Sequence, residues 1–201
     1  MNRCVAFAGP GTIGKPAGPV PLMSKRSTTA TYFDSQGIMR TAQPYELRPN
    51  YVYKNGVWVQ DGYLREGAAT NDVGENNYRN FNINGEMCSP AWAGAGYSVT
   101  LQPKGVNGNP IFIWGIPGVG VASFFVRCED ISLLTIGQFG SNAPVQYGEN
   151  LYRFYTTSSP RQPLFYNQST SGLYLEYGWF QGEAGSTPTS WIPYGQTRAA
   201  D

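Results

Sequence analysis

The chain has 201 residues, with 14 lysines and arginines, 13 aspartates and glutamates and no histidine, for a formal net charge of +1. This length suits one domain, or one domain with an appendage. The scattered basic residues leave no nucleic-acid footprint, and no apolar run approaches the roughly 20 residues that span a bilayer. We therefore expect neither nucleic acid nor membrane as a partner.

The lack of histidine narrows the chemistry that the chain can perform. Ser-His-Asp and Cys-His nucleophiles need an imidazole base, and histidine-ligated zinc or iron is excluded as well. Carboxylate chemistry remains, and the adjacent Glu129 and Asp130 are the pair that would act as acid and base or bind calcium. Their position between two predicted strands favours a solvated turn. We expect no enzyme activity, no cofactor and no metal, with a carboxylate-dependent glycan hydrolase as the alternative.

The cysteines and the N-terminus indicate where the chain is made. Cys4, Cys88 and Cys128 are an odd number without metal-type spacing, so reduced thiols in a bacterial cytoplasm are expected. Gly9-Pro10-Gly11 ends the short apolar stretch near the N-terminus, and no signal peptide is predicted.

Residues 1–50 are interrupted by prolines and glycines, which favour extended backbone with a few short strands. Such a segment cannot build a core of its own. We interpret it as an ordered arm held against another subunit, with a flexible tail as the alternative.

Residues 51–64 predict a β-hairpin. Two alternating runs flank Asn55-Gly56, and a type I′ turn needs positive φ at both central residues, which Asn-Gly tolerates. Asp61-Gly62 offers a second reversal, so we expect a three-strand meander with aromatic cross-strand pairs.

Residues 72–201 predict an all-β jelly-roll sandwich, so the domains are an arm with a hairpin (1–71) and a sandwich (72–201). Short strands separated by turn-rich pieces at regular spacing are typical of such folds. In the last strand, Leu173, Leu175, Tyr177 and Trp179 share the better-buried face by alternation. The predicted strands are Tyr97–Gln102, Pro110–Trp114, Val119–Arg127, Ile131–Phe139, Leu151–Thr157, Pro163–Tyr166 and Leu173–Phe180.

The aromatic residues exceed what one small core needs. Aromatic rings beside amides can stack against sugars, and they also make good subunit contacts. Trp179 and Trp191 are expected to be structural. The candidates for glycan or partner contact are Trp92, Trp114, Tyr147 and Tyr166.

Three stretches of the sequence carry a resemblance to a known family. They are Ser27-Thr-Thr-Ala-Thr-Tyr-Phe-Asp-Ser-Gln-Gly-Ile-Met-Arg-Thr-Ala42, Glu66-Gly-Ala-Ala-Thr-Asn71, and the C-terminal part that contains Ser190-Trp-Ile-Pro193 and Thr197-Arg-Ala-Ala-Asp201. In their order and spacing they resemble a lectin-like β-sandwich, similar to a carbohydrate-binding module, found in head fibres, spikes and tail fibres of bacteriophages. Trp191 stands where Tyr is usual in that pattern.

The resemblance implies a non-enzymatic structural protein of a tailed-phage virion, assembled in the cytoplasm of the host bacterium. The short length favours a head fibre, spike or capsid decoration protein. The low charge and excess aromatics favour a homotrimer, held to capsid or tail proteins through the N-terminal arm. The alternative is a tail fibre or tail-tip protein that binds host surface glycan through the sandwich.

Overall fold

The structure, a computed structural model, describes residues 23–73, 86–87, 92, 96–104, 111–112, 116–117, 120–140, 143–159 and 161–201. Over these ranges the chain is all-β, as the sequence predicts, and contains no α-helix. A 3₁₀ turn spans Ile131–Leu133. The strands are β1 (Ala30–Phe33), β2 (Met39–Ala42), β3 (Pro49–Lys54), β4 (Val57–Tyr63), β5 (Ala69–Thr70), β6 (Glu86–Met87), β7 (Gly96–Leu101), β8 (Ile111–Phe112), β9 (Val121–Cys128), β10 (Leu134–Phe139), β11 (Val145–Gln146), β12 (Leu151–Thr156), β13 (Arg161–Asn167), β14 (Leu173–Glu183) and β15 (Thr197–Arg198).

Each strand predicted after residue 72 overlaps an observed strand, with differences at the ends. The strand predicted to begin at Ile131 begins at Leu134, because Asp130 caps the 3₁₀ turn by accepting a hydrogen bond from the backbone N–H of Ser132. Such local side-chain bonds compete with strand pairing.

Two antiparallel sheets form the body of the fold. One has six strands in the order β11-β12-β9-β14-β7-β6, and the other has three in the order β10-β13-β8. Their facing side chains form one hydrophobic core, as in a β-sandwich. The finer jelly-roll arrangement stays a prediction.

Phe124 of β9 lies at the centre of this core. Its ring centroid lies 4.9 Å from that of Phe139, 5.5 Å from Phe154, 5.8 Å from Phe165 and 5.7 Å from Phe180. The contacts reach both sheets, so the aromatic cluster joins the two layers.

The six-stranded sheet is buried on its other face too. β9 is buried along nearly its whole length, which is typical of a strand covered on both sides. The second face carries a core of Trp92, Phe125, Leu151, Trp179 and Trp191, with Phe33 and Met39 from β1 and β2 packed against it.

The N-terminal region is therefore packed differently from the predicted arm. Ala30 and Ala42 are buried, and β1 and β2 cover the outer face of the six-stranded sheet. Residues on both sides of the predicted boundary between residues 71 and 72 pack in this core, and the division into two domains stays a prediction. Residues 1–22 lie outside the described ranges.

A β-bulge in β14 corrects the predicted alternation. Gly178 pairs with Phe125 and Gln181 with Ser123, so two residues of β14, Trp179 and Phe180, oppose one residue of β9. Trp179 adopts a φ of 50°, a conformation uncommon outside glycine. Trp179 consequently lies on the outer face, although Tyr177 two positions earlier lies in the core between the sheets.

Further along β14, Gly182 is required by a close approach between backbones. A Cβ at this position would overlap the backbone carbonyl of Pro117. Only glycine fits without displacing that loop.

The hairpin forms at the predicted turn, with φ of 52° at Asn55 and 83° at Gly56, but the predicted meander is wrong. Gly62, at a φ of 79°, lies inside β4 at a bulge. Tyr63 continues β4 and pairs with Pro49. The Asp-Gly pair therefore bends one strand and does not start another.

Candidate functional site

A buried ion-pair cluster joins the N-terminal region to the C-terminal tail; its members are Arg26, Arg48, Glu66, Arg198 and Asp201. Glu66 Oε2 lies 2.7 Å from Arg48 Nη1 and 3.1 Å from Arg198 Nη1. Asp201 pairs with Arg48 and, at 3.5 Å, with Nε of Arg26. The three arginine side chains are fully buried or nearly so. Removing one partner of such a cluster leaves an uncompensated buried charge.

Ser190 donates two further hydrogen bonds to the carboxylate of Glu66. Its backbone N–H donates to Oε1 at 2.6 Å and its hydroxyl donates to Oε2 at 2.7 Å. Burial by itself raises the pKa of Glu66, but Arg198, the Ser190 hydrogen bonds and Arg48 outweigh burial and hold the pKa below its usual value. Glu66 is therefore an ionised structural anchor at neutral pH.

Asn71 forms a second link beside the cluster. Its buried amide nitrogen donates to the carbonyls of Phe180 at 3.0 Å and Ile192 at 2.7 Å. Its amide oxygen accepts from the N–H groups of Val73 at 3.1 Å and Gly182 at 3.2 Å. One side chain thus ties the tail, strand β14 and its own loop together.

The first of the three resembling stretches reaches the tail as well. Thr28 Oγ1 accepts a 2.8 Å hydrogen bond from the N–H of Ala199, and the Thr31 hydroxyl donates to the carbonyl of Trp191. Residues 27–42, residues 66–71 and the C-terminal tail therefore meet at one place in the fold, which we call the closure.

Next to this closure lies a cavity of about 330 Å³, and eight of the twenty residues that line it are aromatic. It opens between β1, the β3–β4 hairpin, the turn after β11 and tail residues 188–191. Its volume falls near the lower end of the roughly 300–1,000 Å³ range of ligand pockets. We call it the aromatic cavity; its aromatic lining residues are Tyr32, Phe33, Tyr51, Tyr53, Trp58, Phe125, Tyr147 and Trp191.

Trp58 connects the β3–β4 hairpin to the other walls of the aromatic cavity. Its ring lies 5.5 Å from Phe33 and 5.6 Å, edge-on, from Tyr53, the residue opposite it in the hairpin. The backbone of Gly37 approaches so closely that a Cβ there would overlap the indole. The hairpin is thereby held against the β1–β2 turn.

The charged groups at the aromatic cavity are held by protein partners, although the buried Nε of Arg153 has none among the residues that the structure describes. Arg153 donates to the carbonyl of Thr189 at 2.7 Å and to Ser123 Oγ at 2.8 Å, and its guanidinium lies 5.0 Å from the centre of the Phe125 ring. Glu66 belongs to the ion-pair cluster. The lining therefore offers aromatic faces and neutral polar groups.

The structure separates the four predicted contact residues. Tyr147 lines the aromatic cavity. Trp92 is fully buried and donates from its indole to Glu176 at 2.8 Å, so its ring offers no face to a glycan. Tyr166 is 39% exposed on the other sheet, over Gly137. Trp114 lies outside the described residues.

The sequence reasoning missed Phe33, Tyr53 and Trp58 as cavity residues. The Asn-Gly turn was the available signal, because it places Tyr53 and Trp58 opposite each other in the hairpin. Only the packing of the hairpin on the sandwich turns that pair into a wall.

Of the carboxylates and cysteines considered above as catalytic or metal-binding groups, Asp130 bonds within its own turn. Asp130 accepts from the hydroxyl of Ser132 at 2.6 Å. Burial raises the pKa of the Cys128 thiol, while Cys4 and Cys88 lie outside the described residues. Among the residues that the structure describes, no group of three or more cysteine or carboxylate side chains is placed to hold a metal ion. In the same part of the chain, no helix has the length and apolar character needed to cross a membrane.

Comparisons of the chain with protein-family models, with curated proteins and with solved structures each found no match.

Proposed function

We propose that this chain is a non-enzymatic structural protein of a tailed-bacteriophage virion, most simply a short head fibre, spike or capsid decoration protein. One observation carries the proposal: the stretches that resemble phage fibre proteins meet in space. The second and third supply Glu66, Asn71, Arg198 and Asp201 to the closure, and the first reaches the tail through Thr28 and Thr31. Their shared sequence has a physical reason if the family uses this closure to seal its sandwich. Glu66 lies far from Arg198 and Asp201 in the chain, but it pairs with Arg198 directly and shares Arg48 with Asp201.

The surroundings of the carboxylates support a role without catalysis. Glu66 and Asp201 are neutralised by arginines, and Glu183 accepts from the backbone N–H of Thr189 at 2.8 Å and from its hydroxyl at 2.7 Å. A general acid needs a raised pKa and a path to substrate, whereas the pKa of Glu66 is lowered.

The virion role is tested on purified phage particles. Mass spectrometry of density-purified virions is expected to find this chain in stoichiometric amount, and cryo-electron microscopy to place it on the head. A protein that stays in the lysate while infectious particles lack it would refute the structural role.

A homotrimer is part of the proposal, and the exposed side chains of β4 support it. Val57 is 56% exposed and Val59 45% exposed on this strand, and apolar surface of this kind favours contact with another copy. Light scattering coupled to gel filtration is expected to give three times the chain mass. The Val59→Lys variant is expected to lower that mass, while Tyr174→Lys, at an exposed position on β14, leaves it unchanged. A monomeric wild-type protein contradicts the trimer.

The second candidate function is a tail fibre or tail-tip protein that binds host surface glycan. The aromatic cavity is the observation that favours it. Localisation on the particle separates the two, because a chain found only at the tail tip supports this candidate over a head protein.

A further inference from the structure

The aromatic cavity has features that select for one class of ligand. It is concave, with about 330 Å³ of space, and half-buried rings on three separate elements surround it. Phe33 fixes this arrangement, since its ring lies within 6.0 Å of Trp58, Phe125, Tyr147 and Trp179. The aromatic walls are thus held in place before any ligand arrives.

Charge disfavours an ionic ligand in this cavity. The carboxylate of Glu66 accepts from Ser190 and pairs with Arg48 and Arg198, so a cationic ligand would have to displace an arginine. The guanidinium of Arg153 is buried, its two Nη atoms donate to Thr189 and Ser123, and only its Nε has no partner in the described part of the chain. An anionic ligand would have to displace those two bonds, whereas a neutral ligand leaves both groups as they are.

The rim supplies polar groups that a purely apolar ligand could not use. The amide nitrogen of Gln146 donates to the carbonyls of Gly148 at 3.0 Å and Glu149 at 3.2 Å, and that of Asn50 donates to the carbonyl of Asp61 at 3.2 Å. Both amides are oriented by backbone, and each keeps an oxygen that accepts hydrogen bonds. Fixed acceptors beside aromatic faces match a molecule with apolar faces and hydroxylated edges.

We propose that the aromatic cavity binds one pyranose residue of a neutral glycan, stacked on Trp58 and Tyr147, with its hydroxyls at Gln146 and Asn50. The inference deepens the second candidate function and rests on it for its biological setting. The binding itself does not depend on whether the chain sits on the head or the tail.

The test is a binding assay on the full-length protein. Glucose, galactose, mannose and N-acetylglucosamine are each titrated at millimolar concentration, with saturation-transfer NMR and tryptophan fluorescence as readouts. The variants Trp58→Ala and Tyr147→Ala remove the stacking faces, and Gln146→Ala trims the exposed rim. Tyr166→Ala is the matched control, because it removes an exposed aromatic ring from the other sheet. Near-UV circular dichroism checks that each variant is folded.

We expect saturable binding of at least one of these sugars. Trp58→Ala and Tyr147→Ala should weaken it at least about tenfold, Gln146→Ala should weaken it less, and Tyr166→Ala should leave it unchanged. If Trp58→Ala fails to fold, Tyr147→Ala and Gln146→Ala decide the matter. If none of the four sugars binds, the proposal is overturned. It is also overturned if the folded cavity variants still bind sugar, or if only Tyr166→Ala abolishes binding. None of these results changes the virion-composition test, so the two proposals fail separately.

Discussion

Replacing Asn71 with alanine should destabilise the protein far more than the size of the change suggests. The substitution deprives two backbone N–H groups and two backbone carbonyls of a buried partner. A buried hydrogen bond contributes a net of about 0.5–1.5 kcal/mol, and a buried polar group left unpaired costs about 1–3 kcal/mol. With partial relaxation we expect Asn71→Ala to lower the free energy of unfolding by about 3–5 kcal/mol, a large share of the roughly 5–15 kcal/mol of a typical domain.

Urea unfolding followed by tryptophan fluorescence measures this loss from the midpoint and the m-value. Thr70→Val is the matched control: its side chain is exposed and shares one hydrogen bond with Thr197 Oγ1 at 2.8 Å, so a loss of less than about 1 kcal/mol is expected. If Asn71→Ala loses less than about 1 kcal/mol with an unchanged m-value, the amide does not hold the tail to the sandwich and the reasoning fails.

Three further predictions concern the same closure. The pKa of Glu66 is held below that of an unfolded glutamate, so its stabilisation is present above about pH 4.3 and is lost as the pH falls through the folded pKa. Melting curves at decreasing pH should therefore show a shallower acid decline for Glu66→Gln than for the wild type, and equal slopes would contradict this. Trp191→Ala should lower the free energy of unfolding by about 3–5 kcal/mol, because the side chain is buried in the core on the outer face of the six-stranded sheet. Tyr174→Ala, at a side chain that is 56% exposed, should lower it by less than about 1 kcal/mol. Similar melting temperatures for the two variants would show that the tail is loosely held. Gly182→Ala should lower the free energy of unfolding by about 1–3 kcal/mol, because the new Cβ would overlap the carbonyl of Pro117. Gly67→Ala, where a Cβ meets nothing within 4 Å, should change it by no more than about 0.5 kcal/mol. A Gly182→Ala variant as stable as the wild type would mean that the backbone at Pro117 moves aside.

Local patterns predicted the elements of this fold well. The Asn55-Gly56 turn formed as expected because its left-handed φ values are a local property of those two residues. The strands after residue 72 follow from runs of β-branched and aromatic residues between turns, and these runs are likewise readable in short windows. The all-β class was therefore determined by sequence.

The sidedness of β14 was decided by tertiary structure. Alternation placed Trp179 beside Tyr177, but the bulge against Phe124 moves it to the outer face. A bulge depends on how a strand pairs with its neighbour, so it cannot be predicted from the sequence of one strand alone.

The candidate site was readable only in part for the same reason. Tyr147 was predicted as a contact residue and lines the aromatic cavity. Trp92 was predicted as well, but it is fully buried in the core on the outer face of the six-stranded sheet. Composition shows that aromatics are in excess, but it cannot show which rings keep an open face.

The sequence by itself determined the class of fold and the turn of the hairpin. The contacts between the N-terminal region and the tail were decided by the fold, which brings Arg48 within bonding distance of both Glu66 and Asp201. Buried charges are stable only when their partners are present, and partners so distant in sequence meet only once the sandwich has closed over the N-terminal region and the tail.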